Sequence, residues 1–331
     1  MKIFADLHHS SLFTSFKLLF ENRLGHRMYR PIGLEWFTEG YWKIAEPYNN
    51  NIGTVKQFLE PGNTPTDGTP PLNQELSDCM TLEQFKNTDI DIVIASIPAH
   101  IQAYKKLIKD YKPSAKLIYH IGNIGWHMDI PWNDVDNMMA SVKQFPIKEN
   151  KNVVFYRQEF DLKIFQPYHL ALIKSPSIRS FVNVLPELDT YYKLRDFLPE
   201  FEFRAYGASC PDGVLNTVEA IAINMNMSTY GYHNKPFGDG YGHIIHNWMA
   251  VGKPVIVNLG DYENKLAGEL LEDGVTCFDI DKGVDFVANR IRNISKLEYV
   301  DMCTNVRERF KKIVDFEKDA MNVKEFLNKL I

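Results

Sequence analysis

The densest chemistry in this sequence lies between Gly238 and Ile256, in the run GDGYGHIIHNWMAVGKPVI. Here a predicted strand feeds a glycine-rich turn, and the turn opens a helix. Gly240 and Gly242 carry no Cβ, so a bulky anion can approach the backbone, and the unpaired N–H groups and dipole of a helix start favour phosphate. In physical terms this is a diphosphate site. On the helix, His243 and Asn247 are four apart and share a face beside His246, while Ile244, Ile245, Trp248 and Met249 make a packing face. A glycine turn ahead of a core helix with incidental polar residues gives the same local pattern.

Two other stretches place polar side chains just beyond predicted parallel strands, where α/β sheets bind ligands. One is the loop His8-His9-Ser10-Ser11, in which an imidazole with a pKa near 6.5 suits proton removal. The alternative is a capping loop, with Ser10 or Ser11 closing the following helix and the histidines exposed. The other is YHIGNIGWH, which holds His120, Asn123 and Trp126; the tryptophan could stack on a sugar or a base.

The elements that must position these residues alternate between strand and helix. KIFADL, a helix from about Leu12 to Leu24 stopped by Gly25, and RMYRPIGL open the chain as strand, helix, strand. EPGNTPTDGTPPLNQ reads as an exposed loop. DIDIVIASI, PAHIQAYKKLIKDY and KLIYHIG form another β-α-β unit, and NVVFYRQEF closes the half. The second half repeats the alternation: RSFVNVL, a helix around DTYYKLRDFL, FEFRAYG, VLNTVEAIAINM, MSTYGYH, HIIHNWMAVG and PVIVNL. Helices over RERFKKIVDF and VKEFLNKLI end the chain. The expected fold is α/β, two facing Rossmann-like domains with parallel sheets. The expected domains are residues 1–168, residues 169–312, and a helix over 313–331 that returns to the first.

A length of 331 residues fits two domains, and 45% apolar with 24% charged residues is an ordinary globular composition. No apolar run reaches the ~18 residues of a membrane span, and MKIFADLHHSS lacks the parts of a signal peptide, so a cytoplasmic protein is expected. Cys79, Cys210, Cys277 and Cys303 show no metal spacing, so no metal is expected. A net charge of -5 argues against strong nonspecific attraction to nucleic acid or anionic lipid. The lysines from Lys105 to Lys116 read as a solvated face.

The run at 239–256 resembles the donor motif of GT-B glycosyltransferases of the family 4 (group 1) type. There an acidic residue, Gly-aromatic-Gly, a helix and Ala-x-Gly-x-Pro-Val-Ile follow in order, and two glutamates bracket seven residues. Asp239 stands at the first glutamate, which by resemblance reaches the sugar hydroxyls. Asn247 stands at the second, which bonds the ribose; its amide can do so without charge. LEDGVTCFDID resembles the family's exit from the donor site. The family's Arg and Lys after the first strand of the second domain are missing from VNVLPELD, which leaves His243, Lys235, Arg204 and Lys174 as candidates for the diphosphate.

The resemblance implies a metal-independent hexosyltransferase-like enzyme with a GT-B fold. It would hold a nucleoside diphosphate sugar, expected to be a UDP-sugar, through Asp239, Gly240, Tyr241, Gly242, His243, His246, Asn247, Arg204 and Lys235. No cofactor beyond this donor substrate is implied. In inverting relatives a histidine at the place of His8 or His9 deprotonates the acceptor hydroxyl, whereas retaining relatives need no such base. Ser10, His120, Asn123 and Trp126 are the acceptor-side candidates by their place beyond the strands, with a core histidine as the alternative for His120. The acceptor would be a saccharide or a hydroxymethylated base in DNA. A nucleotide-sugar 2-epimerase and a non-catalytic nucleotide-sugar binding protein are the alternatives.

Overall fold

A computed structural model describes residues 1–6, 10–31, 78–96, 98–122, 130–143, 147–168, 175–182, 186–215 and 217–331. The chain folds as two compact units: Asp161–Asp315 forms the second, and Phe316–Ile331 belongs with the residues before Asp161 in the first.

In the first unit the strands are β1 (Lys2–Asp6), β2 (Arg27–Pro31), β3 (Cys79–Met80), β4 (Ile92–Ala95), β5 (Lys116–Ile121), β6 (Asn137–Ala140) and β7 (Asn152–Phe155). They form one seven-stranded sheet in the order β3-β2-β1-β4-β5-β6-β7, with every neighbouring pair parallel. Strands such as IVIA are buried along their whole length, as a sheet covered on both faces requires. Helix α1 (Ser10–Phe16) widens into a π-helical segment, Lys17–Arg23, and Gly25 at φ 65° ends it. Helices α2 (Leu82–Asn87) and α3 (Ile101–Tyr111) follow. On α3, Lys106 pairs with Asp110 at 2.8 Å, and Lys105 reaches Asp134 at 3.4 Å.

The second unit holds β8 (Ser177–Phe181), α4 (Leu188–Phe197), β9 (Glu202–Tyr206), α5 (Val218–Met227), β10 (Tyr230–Tyr232), α6 (His243–Ala250), β11 (Val255–Val257), β12 (Cys277–Asp279), α7 (Val284–Asn293) and α8 (Lys296–Ile313). Its five strands are parallel in the order β12-β11-β10-β8-β9. The order reverses between β8 and β10, and between β1 and β4 in the first sheet. Such switch points leave a crevice at the carboxyl ends of the strands.

The last helix, α9 (Phe316–Asn328), packs on the first unit. Its Ala320, Val323, Phe326 and Leu327 share a core with Ile3, Phe16, Phe20 and Val154. Phe316 meets Phe160 edge-on at 5.5 Å, and Asp319 accepts from the Arg157 N–H at 3.0 Å.

Several expected elements differ in detail. RERFKKIVDF is not one helix, because the chain breaks between α8 and α9 at Val314 and Asp315. NVVFYRQEF pairs only over Asn152–Phe155. Strand β6 and helix α2 have no counterpart in the sequence reading. NMMA contains no β-branched or aromatic residue and becomes a strand because β5 and β7 pair with it on either side. The proline-rich loop EPGNTPTDGTPPLNQ lies outside the described residues.

Candidate functional site

The second unit gathers polar groups at its switch point, beyond β8 and β10. Strand β10 is short and buried, and its middle residue has to be glycine: a Cβ on Gly231 would sit 2.5 Å from the Trp248 indole of α6. That contact lays α6 across β10. Beyond the strand, the Tyr232 hydroxyl and the Asn234 amide donate to Glu187 at 3.2 and 3.3 Å. Glu187 also caps α4 by accepting from the Thr190 N–H at 3.1 Å. The two loops at the switch point are therefore tied together.

The turn into α6 is tightly determined. Phe237 and Gly238 are both left-handed, at φ 66° and 65°, and the Gly238 N–H donates to the Lys235 carbonyl at 2.9 Å. Gly242, at φ 77°, precedes the helix, and a Cβ there would lie 2.6 Å from that of Ala267. Only glycine meets both conditions without strain. The first helical bond runs from the His246 N–H to the Gly242 carbonyl at 3.2 Å, so the amides of the first turn point out of the helix start with no side-chain cap.

Asp239 is the centre of this turn. One carboxylate oxygen lies 2.7 Å from Nε2 of His233, and the other accepts from Nζ of Lys235 at 2.6 Å. Its backbone N–H donates to the Tyr262 hydroxyl at 3.3 Å. Burial alone would raise the pKa of this carboxyl, but His233 and Lys235 outweigh burial and hold it well below the usual carboxylate range. Asp239 is therefore a fixed anion, and 22% of its side chain remains accessible.

The structure brings Lys235, Asp239, Gly240, Tyr241, Gly242, His243, His246 and Asn247 into one continuous segment, but their surroundings differ. His246 faces inward, with Nδ1 2.9 Å from the Gly242 carbonyl and its ring stacked on Tyr241 at 4.3 Å. Asn247 is 3% exposed, and its Oδ1 meets no donor among the described residues. A buried amide oxygen in that state costs free energy unless a ligand or water satisfies it. Arg204 lies elsewhere, on edge strand β9, bound to Glu202 at 3.0 Å and Asp212 at 2.9 Å.

In the first unit, His120 is a core residue: it is 1% exposed, bonded to the Tyr156 hydroxyl at 2.7 Å and met edge-on by Phe16. Ser10 begins α1. His8, His9, Asn123, Trp126 and Lys174 lie outside the described residues. The switch point of this sheet instead shows a pair that sequence reasoning missed, Asp6 and His100, buried and 2.5 Å apart. His233, Tyr262 and Lys265 were also missed. His233 had a usable signal, since it directly follows a buried parallel strand; the other two sit in a loop with no motif.

Among the described residues, no group of three or more His, Cys, Asp or Glu side chains is placed to hold a metal ion. An open pocket of about 390 Å³, lined by Tyr191, Tyr192, Arg195, Phe203, Pro211 and Asp212, lies at α4 and β9 and includes none of the turn residues.

No protein-family model and no curated protein matches the sequence. Solved structures do match. Anabaena Alr3699/HepE in complex with UDP and glucose aligns over 99% of this chain and 100% of its own, with a TM-score of 0.64 at 14% identity. Sucrose-phosphate synthase from Thermosynechococcus elongatus aligns over 99% and 98%, with a TM-score of 0.64 at 10% identity. An alpha-glucosyltransferase in complex with UDP-glucose and DNA containing an abasic site aligns over 99% and 98%, with a TM-score of 0.58 at 13% identity. The chain has the fold of these structures. That fold is the α/β, GT-B type expected from the sequence, with its C-terminal helix on the first unit.

Proposed function

We propose that this protein is a glycosyltransferase that moves a sugar from a nucleoside diphosphate sugar, a UDP-sugar, to an acceptor hydroxyl, with residues 235–247 holding the donor. The observation that carries this reading is Asp239, an anion fixed between His233 and Lys235 at the glycine turn that opens α6. Each of its oxygens keeps lone-pair capacity for a sugar hydroxyl. Asn247 receives the ribose, whose hydroxyls satisfy its buried Oδ1. His243 and the helix-start amides face the diphosphate and stabilise it as it leaves.

In this reading the charge on the leaving group is met by the chain's own cations and amides, with no metal in the chemistry. His8 or His9 removes the acceptor proton in an inverting transfer. HepE and the alpha-glucosyltransferase, which share the fold, are bound to UDP or UDP-glucose in their solved structures, and this supports a uridine nucleotide as the donor. A saccharide acceptor fits the net charge of -5. DNA is the second reading, favoured by the DNA bound to the alpha-glucosyltransferase. Steep salt dependence of acceptor binding would mark DNA.

The direct test is Asp239→Asn, which keeps the shape and removes the charge. With UDP-glucose as donor, turnover to acceptor or to water is expected to fall by about 100-fold or more. A folded variant with wild-type turnover overturns the site assignment.

A further inference from the structure

The sequence lacks the arginine and lysine that the resemblance places after the first strand of the second domain, and the loop after β8 carries Glu187 in that region. Lys235 does not replace them, because its charge is balanced by Asp239 at 2.6 Å. The cation at this turn that forms no ion pair among the described residues is Lys265.

Lys265 lies between β11 and β12 and is 8% exposed. Among the described residues its ammonium forms no ion pair; it donates to the Phe237 carbonyl at 2.7 Å and lies 5.3 Å from the centre of the Tyr262 ring. A buried cation without an ion pair is costly. Burial pulls the pKa of this lysine down, with the charges of Asp261 and Asp239 opposing the effect.

The turn is built around this ammonium. A Cβ on Gly238 would lie 3.1 Å from Nζ of Lys265, so the glycine keeps the space beside the charge open. The same loop supports the rest of the turn, through Tyr262 at the Asp239 N–H and Ala267 against Gly242. An ammonium has three donors, and one is used on Phe237, which leaves two. The N–H groups of Gly240 and Gly242 meet no acceptor among the described residues.

We propose that Lys265 is the cation that binds the diphosphate of the donor, taking the role of the missing basic pair together with the amides of the turn. This rests on the donor-site reading above and adds a residue to it. Lys265 then holds the turn through one bond and the ligand through the others.

The test is calorimetry on the full chain with UDP, uridine and inorganic pyrophosphate. Lys265→Gln can still donate to the Phe237 carbonyl but has no charge; Lys265→Arg keeps the charge. Lys265→Gln is expected to weaken UDP and pyrophosphate by about 10- to 100-fold and to leave uridine unchanged, with Lys265→Arg recovering most of the loss. A uniform loss across UDP and uridine, or no loss, overturns the proposal while wild-type binding of UDP leaves the donor reading standing. Wild-type protein that binds none of the three overturns both. Should Lys265→Gln fail to fold, Lys265→Met, an unbranched and uncharged replacement, is measured in the same way: the same selective loss of UDP and pyrophosphate is expected, and a uniform loss or none overturns the proposal.

Discussion

At the scale of single residues, the site combines a satisfied charge with an unsatisfied amide. Asp239 has one oxygen on the Lys235 ammonium, the other on the His233 ring, and a depressed pKa. Its pairing therefore stabilises the fold above the unfolded carboxyl pKa of about 3.9, and the contribution is lost only as pH falls through the lower folded value. Asp239→Asn should cost about 1.5 to 3 kcal/mol in urea unfolding, by the same amount at about pH 6 and about pH 8. A cost that disappears at about pH 6 contradicts this. Asn247 is the converse, a buried Oδ1 with no donor among the described residues. Asn247→Leu should leave the unliganded protein as stable or more so and weaken UDP by about tenfold. A destabilised variant with unchanged UDP affinity would count against the ribose assignment. The placement of Asp239 and Asn247 around one turn was legible because their spacing is local. Lys265 was not, since its place beside Phe237, 28 positions earlier, comes from how a loop folds back.

At the scale of elements, the site depends on how α6 starts. Gly242 combines a left-handed backbone with a Cβ position 2.6 Å from Ala267, so Gly242→Ala should cost about 1 to 3 kcal/mol in urea unfolding and weaken UDP binding as the helix start moves. An unchanged midpoint would mean that the turn adapts freely. The run from β10 through α6 to β11 was readable because apolar strands, a glycine turn and an apolar helix face alternate there without interruption. β6 was not: Asn137, Met138, Met139 and Ala140 have weak strand preferences, and the pairing with β5 and β7 is a tertiary effect. The break between α8 and α9 was equally invisible, because Val314 and Asp315 interrupt the helix without a glycine or proline.

At the scale of the whole molecule, two parallel sheets and a last helix on the first unit reproduce the fold of structures at 10 to 14% identity. The fold survives such divergence because buried strands and helix faces demand only apolar residues at the right period. The donor site is a narrower demand, and it is the central claim. Its most direct measurement is the thermal unfolding of the purified chain with a panel of nucleoside diphosphates and nucleosides. A diphosphate at about 100 times its dissociation constant adds about 2.7 kcal/mol of stability. The account predicts a selective rise in Tm with UDP and none with uridine at the same concentration; no rise with any diphosphate contradicts it.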